Sequence, residues 1–453
     1  MKNVLIRAGK DYFENLSPEA TLLYKNRSTF GYNVGFYLIS DSVYKLISTP
    51  DTSIIPDSYL LGSRGSYKKN VAEEINENFD EFVLPVADFL KPKKIPYVKR
   101  LTTLIKNLDI PICVLGLGIG VYLDVDKFND EKTNEVMEKF VSAILEKSTS
   151  IGVRGELTLK YLNRLGFDEN EVKVLGCPSV YLNGPDYNIE QISVKKDSKI
   201  ALNITPVLIK RYGGFVNKTI KNYKNYKYFM QDIHDLRIML YGENGTYNIE
   251  YYNDKNFTKI LSENKAMFPI NSRTWINELQ KYDYAIGTRL HGTVAALNAR
   301  IPATLIVHDS RTQEIADYHK IPCIGLNEIT KEMSVKDIAE NSNWEKFNKV
   351  AKPNYKKLIK FFKDNEIDVV KEYPNPKITE KEKKAKMVGM VEQIYSKKEG
   401  INQKELLSRI RYSAMKKQYD YKAPLHIKNK KVQKRKKDNP SSLKKLKNLI
   451  SKN

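Results

Sequence analysis

The first 180 residues alternate short apolar runs with longer stretches in which apolar residues recur at helical spacing. Runs such as "EFVLP" (81–85) and "PICVLG" (111–116) have the length and composition of buried β-strands, and "VGFYLISDSVYKLI" (34–47) has the pattern of an amphipathic helix. Repeated strand–helix–strand units build a parallel sheet that is covered by helices on both faces. The same pattern predicts further strands at 3–7, 150–154 and 172–176, and further helices at 133–147 and 155–166.

A polar stretch, "NGPDYNIEQISVKKDSK" (183–199), interrupts this alternation and is predicted to be a linker. After it a second strand–helix series begins, so the pattern predicts two α/β domains. Segment 211–228, rich in Lys, Asn and Tyr, predicts a loop, either a lid over the cleft between the domains or a plain surface loop. Strands are predicted at 200–206, 247–253, 284–288, 302–308 and 322–326, and helices at 228–242, 272–282 and 290–300.

Two such domains place a cleft between the carboxyl ends of two parallel sheets, where ligands of open α/β folds bind. The predicted organisation is an N-terminal Rossmann-like domain over residues 1–183, a second Rossmann-like domain over 184–375, and a basic C-terminal extension over 376–453. Hydrophobic residues make up 41% of the 453 residues, which is enough to bury a core in each domain.

The net charge of +22 is concentrated near the C-terminus. Residues 401–453 hold 17 Lys/Arg and 3 Asp/Glu, so they contribute +14. The last residues, "SSLKKLKNLISKN", follow a polybasic stretch and predict a short amphipathic helix that suits an anionic membrane surface. The alternative is a solvated tail without a function. Residues 422–453 lack the aromatic side chains that stack on bases, which argues against nucleic acid as a partner.

Other features limit the expected location and cofactors. No run approaches the ~20 apolar residues of a membrane-spanning helix, and the N-terminal apolar run is too short for a signal peptide. The three cysteines are far apart, which excludes a disulfide framework and a cysteine zinc site and fits a reducing cytoplasm. "GLGIG" (116–120) lacks the spacing of a dinucleotide fingerprint, and the histidines are too scattered for a metal site, so neither a cofactor nor a metal is expected.

The stretch "YDYAIGTRLHGTVAALNARIP" (282–302) combines the features of an anion site with a group that can transfer protons. A strand is predicted to end at Gly287, with Thr288 as the helix N-cap and with Arg289 and His291 in the first helical turn. Unpaired backbone N–H groups and the positive end of the helix dipole favour an anion there. Arginine adds a fork for phosphate or carboxylate, and histidine can transfer a proton near neutral pH. The alternative is a histidine that caps its helix beside an arginine paired on the surface.

This stretch resembles the polysaccharide pyruvyl transferase family. The match rests on "GTRLHGTVAALNARIP" (287–302), in which an Arg-x-His pair opens a helix before a proline-led strand. "HDSRTQEIADYHKIP" (308–322) follows it as in one branch of that family, and "SIGVRGELTLKYLNRLGF" (150–167) matches the family's strand, arginine and helix. The resemblance covers roughly residues 1 to 330.

Two glycine-containing segments extend the resemblance. Asn33 and Gly35 stand in the place of the family's N-terminal glycine loop, although Phe36 occupies the position where the family usually has an acid. Gly118 lies in the segment that corresponds to the family's glycine-rich turn. These three residues, Asn33, Gly35 and Gly118, are predicted to contact the acceptor or to shape the loops around it.

The resemblance implies a two-domain, glycosyltransferase-like (GT-B) fold and a transferase that uses phosphoenolpyruvate as its donor. In that reaction the enolpyruvyl carbon joins two hydroxyls of one sugar as a cyclic ketal, and phosphate leaves. The expected acceptor is a sugar of a cell-surface glycan precursor, as a free sugar or a lipid-linked oligosaccharide. The expected location is the cytoplasm, with peripheral attachment at the inner face of the plasma membrane.

The resemblance also implies residues for donor binding. Arg289 and Arg154 are predicted to hold the phosphate and carboxylate of phosphoenolpyruvate, with Thr288 and Gly292 at the start of the same helix. Arg311 either holds the donor as well or pairs with Glu314 at helical spacing.

The proton-transfer residues are predicted from the same comparison. His291 is the predicted general acid that protonates the enol carbon of the donor. His308 and Asp309, at the end of the next strand, are predicted to activate the attacking hydroxyl.

Two other functions are compatible with this architecture. A glycosyltransferase that uses a nucleotide sugar would need an acid on the ribose and a basic pair on the diphosphate, for which Glu314 and Arg311 are candidates. The second alternative is a protein that binds glycans without catalysing a reaction. Binding of phosphoenolpyruvate, of a nucleoside diphosphate, or of neither would separate the three.

Overall fold

The structure is a computed structural model, and it confirms an α/β architecture with two parallel sheets. It describes residues 1–22, 28–62, 69–91, 94–120, 130–206, 208, 213–241, 254–373, 375–385 and 389–392. The predicted strand at 247–253 and residues 393–453 of the basic C-terminal extension lie outside these described residues, so the amphipathic helix and its membrane contact stay predictions.

The N-terminal sheet has the strand order β2-β1-β3-β5, and all its strands are parallel. A parallel bridge between Leu117 and Val153 continues it towards the pair β7-β8. The strands are β1 (Lys2–Ile6), β2 (Thr52–Pro56), β3 (Glu81–Pro85), β4 (Asp88–Leu90), β5 (Ile112–Leu115), β6 (Gly118–Ile119), β7 (Ile151–Val153) and β8 (Val172–Val174). The helices are α1 (Pro18–Thr21), α2 (Gly35–Ile47), α3 (Lys69–Asn78), α4 (Ile95–Lys106), α5 (Glu131–Leu145) and α6 (Glu156–Arg164), and a 3₁₀ turn spans Pro178–Tyr181.

The C-terminal sheet has seven strands among the described residues. They are β9 (Ile200–Leu202), β10 (Tyr226–Phe229), β11 (Ala266–Phe268), β12 (Tyr284–Gly287), β13 (Ala303–Val307), β14 (Cys323–Gly325) and β15 (Val391–Glu392). The order is β14-β13-β12-β9-β10-β11-β15, and only β15 is antiparallel to its neighbour. Counted from β11, the six parallel strands follow the Rossmann order 3-2-1-4-5-6, so the strand order reverses between β9 and β12.

Nine described helices follow the strands of this second sheet or pack beside it. They are α7 (Gly213–Asn222), α8 (Ile233–Tyr241), α9 (Lys255–Ser262), α10 (Ser272–Leu279), α11 (Leu290–Asn298), α12 (Ser310–His319), α13 (Val335–Asn341), α14 (Glu345–Asp364) and α15 (Pro376–Lys384). After α14 the chain returns to the first domain, where the Val370 N–H donates to the carbonyl of Leu46. Asn375 Nδ2 likewise donates to the carbonyl of Ser48, at the end of α2.

Two apolar clusters fill the molecule. Because side chains alternate along a strand, Val4 and Ile6 of β1 face one cluster, and Leu5 faces the other. The first cluster extends from α2 through the whole C-terminal sheet, so α2 belongs to the cores of both sheets. On one side α2 contacts β3, and on the other it contacts the 3₁₀ turn, α10 and α11. Within the described residues, no helix is long and apolar enough to cross a membrane.

Six of the described strands were not predicted, and one predicted loop was wrong. Within the predicted loop 211–228, the described residues 213–228 form α7 and the start of β10. Its lysine and asparagine content hid the pattern, because Tyr226 and Tyr228 are buried while the intervening lysine is half-buried. The helix predicted from 228 therefore begins only at Ile233. The unpredicted strands are β2, β4, β6, β10, β11 and β15. The predicted linker at 183–199 does lack helix and strand.

Asn298, the last residue of α11, bonds this helix to the chain between β8 and β9. The side chain is 1% exposed; its Nδ2 donates to the carbonyls of Ser179 and Val294, and its Oδ1 accepts from the N–H of Asn183. Asn298→Ala leaves the carbonyl of the buried Ser179 without this donor and removes the acceptor of the Asn183 N–H. We expect the free energy of unfolding to fall by about 1–3 kcal/mol. Denaturant unfolding measures this loss. Asn341→Ala, at an exposed asparagine in α13, is the control; equal losses in the two variants would contradict this assignment.

Candidate functional site

The turn between β12 and α11 lies where the strand order of the C-terminal sheet reverses. The helix begins at Leu290, so Arg289 is the N-cap and the prediction of Thr288 as N-cap was wrong by one residue. Thr288 does not cap the helix, because its hydroxyl accepts from the N–H of Thr205 (2.7 Å) and donates to the Thr205 hydroxyl (2.9 Å). A Cβ at Gly292 would lie 2.5 Å from Asn203 Cγ, so the glycine is needed for this close approach.

Arg289 is held by a carboxylate that is itself held from the other domain. Both terminal nitrogens of Arg289 donate to the two oxygens of Asp232, and the Nη1–Oδ1 distance is 2.9 Å. Asn33 of the N-terminal domain donates from Nδ2 to the same Oδ1 (2.8 Å), while its own Oδ1 accepts from the N–H of Gly35 (2.8 Å). The chain Asn33–Asp232–Arg289 therefore clamps the two domains and occupies the fork of Arg289.

His291 lies in the first turn of α11, between the two domains. A Cβ at Gly35 would come 2.4 Å from its Nδ1, so only glycine at the start of α2 leaves room for the ring. On the other side, Nε2 is 3.9 Å from the Sγ of Cys177. Burial, together with the positive charges of Arg154 and Arg311, lowers the pKa of His291 to about 3. The ring is therefore neutral around pH 7 when no anion is bound.

Asp88, the first residue of β4, binds three positive side chains. Arg154 Nη1 donates to its Oδ1, while Arg311 Nη1 and Lys91 Nζ donate to its Oδ2, each at 2.9 Å. Burial alone would raise the pKa of Asp88, but Arg311, Arg154 and Lys91 outweigh it and hold that pKa far below its usual range. The Nε atoms of Arg154 and Arg311 are buried and have no acceptor among the described residues. These unused donors and the surplus of positive charge favour an anionic ligand.

Asp309 caps the helix that carries Arg311. Its Oδ1 accepts from the N–H of Thr312 (2.8 Å), and its Oδ2 lies 3.2 Å from Arg311 Nη2 and 3.7 Å from His308 Nε2. Asp309 is therefore engaged in capping and ion pairing. Burial lowers the pKa of His308, whose buried Nδ1 has no partner in the described part of the chain. His308 is thus the freer of the two predicted hydroxyl-activating groups.

Glu314 binds the other domain instead of Arg311. Its carboxylate accepts from the N–H of Thr158 (3.1 Å) and from the Thr158 hydroxyl, in the first turn of α6. That turn follows Arg154, and a Cβ at Gly118 would lie 2.6 Å from Arg154 Cδ and 3.4 Å from Glu314 Oε1. Burial raises the pKa of Glu314 to about 7. Helix α12 therefore fixes Arg154 through the cap that it provides to α6.

The structure brings most of the predicted site residues together. Arg154, His291, Arg311, Gly35 and Gly118 meet where the carboxyl edges of the two sheets face each other, as the preceding contacts establish. The residues that the sequence did not reveal are their partners: Asp88, Thr158, Asn203 and Asp232. Asp88 could have been singled out from the sequence, because it lies just beyond a fully buried strand. No cluster of three or more His, Cys, Asp or Glu residues that could hold a metal ion occurs within the described ranges.

Titration of Glu314 should make the stability of the folded protein depend on pH. Its pKa is higher in the folded protein than in the unfolded chain, so the folded state binds the proton more tightly. Wild-type stability should therefore decrease as the pH rises from about 4.5 to about 7. Glu314→Gln keeps the contact with Thr158 and removes the titration. We expect its stability relative to wild type to rise between pH 5 and pH 8 by roughly 2–3 kcal/mol.

Thermal and denaturant unfolding at several pH values measure the difference. The exposed Glu340→Gln is the matched control for loss of one carboxylate. A Glu314→Gln variant whose relative stability stays constant across this range would show that Glu314 is ionised normally.

No curated protein matches the sequence. Among solved structures, the chain is similar to UDP-GlcNAc 2-epimerase from Methanocaldococcus jannaschii, with 13% identity, a TM-score of 0.43, and coverage of 80% of this chain and 100% of that one. It is also similar to UDP-GlcNAc 2-epimerase from Neisseria meningitidis bound to UDP-GlcNAc, with 10% identity, a TM-score of 0.42, and coverage of 80% and 100%. The sequence model described as "Polysaccharide pyruvyl transferase" matches residues 10–310, about two-thirds of the chain, and the protein therefore belongs to the polysaccharide pyruvyl transferase family.

Proposed function

We propose that this protein transfers the enolpyruvyl group of phosphoenolpyruvate to a sugar of a cell-surface glycan precursor, forming a pyruvate ketal. One observation carries the proposal: Arg154 and Arg311, from different domains, converge on Asp88 and act together on the neutral ring of His291. A small donor with a phosphate and a carboxylate needs two arginines close to one proton-transfer group.

Arg154 and Arg311 are the proposed donor-binding residues. Each has a buried Nε without an acceptor among the described residues, so a donor oxygen can bind there while Asp88 still positions the guanidinium. Backbone N–H groups in the first turn of α11, beside Gly292, supply further donors. Arg289 has its fork occupied by Asp232, so we assign it to fixing this turn and to contributing positive charge.

His291 is the proposed general acid. The reaction adds a proton to the methylene carbon of the enol and leaves a positively polarised carbon, to which one sugar hydroxyl adds. A second hydroxyl then displaces phosphate from the same carbon, so the two hydroxyl protons end on the new methyl group and on phosphate. The negative charges of the donor offset Arg154 and Arg311 and raise the pKa of His291, which allows the ring to carry the proton.

His308 is the proposed group that activates the hydroxyl, since its buried Nδ1 is available whereas Asp309 caps a helix. The nucleotide-sugar alternative receives less support from this geometry. Glu314, its candidate ribose ligand, is 2% exposed and is engaged by Thr158.

The first test separates turnover from donor binding. His291→Gln keeps the polarity of the side chain but removes its titrating proton, so ketal formation should slow by ~10²–10⁴ with little change in phosphoenolpyruvate affinity. Arg311→Lys keeps the charge but loses the planar fork, so phosphoenolpyruvate affinity should fall by about ten-fold or more. Melting temperature, donor affinity and ketal formation are measured on the same purified variants, with Arg164→Lys on the exposed face of α6 as the control.

A folded His291→Gln protein with near-normal turnover would move the acid elsewhere, with His308 as the next candidate. Unchanged donor affinity in Arg311→Lys would place the donor outside this cluster. If the protein binds a nucleoside diphosphate and not phosphoenolpyruvate, it is a glycosyltransferase; if it binds neither and still binds glycans, it is not catalytic.

The second test follows the proton. Free His291 is neutral at pH 6–7, and the proposed donor raises its pKa, so binding should bring a proton onto the ring. Wild type should therefore take up more protons per bound phosphoenolpyruvate than His291→Gln does, by up to about one proton. Calorimetry in buffers with different heats of ionisation measures this number, and the variant corrects for titration of the donor's own phosphate. Equal proton uptake in the two proteins would contradict a general-acid role for His291.

A further inference from the structure

Arg7 directly follows β1, at the carboxyl edge of the N-terminal sheet. This edge is the counterpart of the edge of the C-terminal sheet that carries His291. The order β2-β1-β3-β5 reverses at β1, since β2 lies on one side of it and β3 on the other. Ligands of such sheets bind outside the carboxyl ends of the strands at this reversal. The C-terminal sheet presents the His291 turn at its own reversal, whereas nothing in the proposed reaction has yet used the equivalent position of the N-terminal sheet.

The guanidinium of Arg7 is surrounded by aromatic rings. Its Cζ lies 4.8 Å from the ring centre of Tyr59, 5.5 Å from that of Phe89 and 5.9 Å from that of Phe36, and Nε donates to the Tyr97 hydroxyl at 3.4 Å. Within the described residues Arg7 forms no ion pair, and its buried Nη1 has no hydrogen-bond acceptor. The carboxyl of Asp57 attracts the guanidinium electrostatically without forming an ion pair with it. A buried N–H donor that still lacks an acceptor favours an anionic ligand.

Asp57, whose charge acts on Arg7, also holds the turn that follows β2. Its Oδ1 accepts from the backbone N–H groups of Ala8 (3.1 Å) and Tyr59 (2.9 Å). This contact holds a turn in which two consecutive non-glycine residues, Ser58 and Tyr59, have φ angles of 53° and 54°. Such left-handed conformations cost energy and persist where the surroundings enforce them, often at binding sites. The strained turn places the Tyr59 ring over the Arg7 guanidinium.

This cluster adjoins the proposed donor site on two sides. Phe36 directly follows Gly35, which contacts His291, and Phe89 directly follows Asp88, which binds Arg154 and Arg311. A molecule on Arg7 is therefore one residue along the chain from the groups that would hold the donor and its proton. The reacting sugar hydroxyls have to reach the same place.

We propose that Arg7, Tyr59 and Phe36 form the acceptor subsite, and that the acceptor is an anionic sugar. The carboxylate or phosphate of the acceptor pairs with the Arg7 guanidinium, and its sugar ring packs against the half-buried rings of Tyr59 and Phe36. Phe89 is 3% exposed, so it supports the guanidinium from behind and does not contact the ligand. This inference rests on the proposed function for the ligand's role as acceptor, but binding of the anionic sugar can be measured without the donor.

The test is equilibrium binding of three probes to the full chain: p-nitrophenyl β-D-glucuronide, p-nitrophenyl β-D-glucoside and glucose 1-phosphate. We expect wild type to bind an anionic probe about ten-fold or more tightly than the neutral glucoside. The glucuronide and the phosphate distinguish a uronate from a phosphate as the anion. Arg7→Met, which keeps the side-chain stem, should abolish the preference, and Tyr59→Leu should weaken binding of all three probes.

A readout on stability separates this role from a structural one. Arg7→Met also removes the positive charge that acts on the buried carboxyl of Asp57. A purely structural Arg7 would lower the melting temperature and leave the anionic preference of the folded variant intact, whereas the proposed role predicts loss of that preference in the folded variant. Arg164→Met is the matched control, and phosphoenolpyruvate affinity is measured on each variant. The proposal is overturned if wild type binds the neutral and anionic probes equally, if Arg7→Met keeps the preference, or if that variant loses donor affinity instead. Absence of donor binding with an intact anionic-sugar preference would reject the proposed reaction and leave the subsite standing.

Discussion

The ion pairs of Asp88 with Arg154 and Arg311 decide how the rest of the cleft is built. Two guanidinium groups from different domains would repel each other, and one buried carboxylate lets them share a small volume. Asp88 leaves the Nε atoms of both arginines unused, so the cluster holds the cations in place without satisfying them. The nearby His291 remains neutral because burial and, after it, the positive charges of Arg154 and Arg311 oppose its protonation.

A second set of contacts gives each positive group a fixed orientation. Asn33 reaches across the cleft to Asp232, which holds Arg289, and Glu314 reaches across in the opposite direction to cap α6 beside Arg154. The N-terminal domain therefore helps to fix Arg289 of the C-terminal domain. The C-terminal domain in turn fixes the helix beside Arg154. Glycines at 35 and 118 allow this approach, because any Cβ there would overlap His291 or Arg154.

The periodicity of apolar residues predicted the two sheets, and the ends of the predicted strands located Arg154, Arg289 and His291. The pattern could not predict β10, whose buried tyrosines alternate with lysine in a segment of loop-like composition. The carboxylate partners were missed for a different reason. Asp88 lies 66 residues from Arg154, and Asp232 lies 57 residues from Arg289, so no local pattern connects them. Only the topology of the sheets brings them together.

The burial of α2 against both sheets has a consequence for motion. Proteins with two facing α/β domains often admit their ligands by rotation about a hinge, and such rotation requires an interface that can separate. Here nearly every residue of α2 is buried, and its neighbours belong to both cores. Opening by rotation would expose this apolar surface to water, at a cost that grows with the area exposed. The two sheets are thus expected to behave mechanically as one body, in which ligands enter and leave through movements of side chains and surface segments.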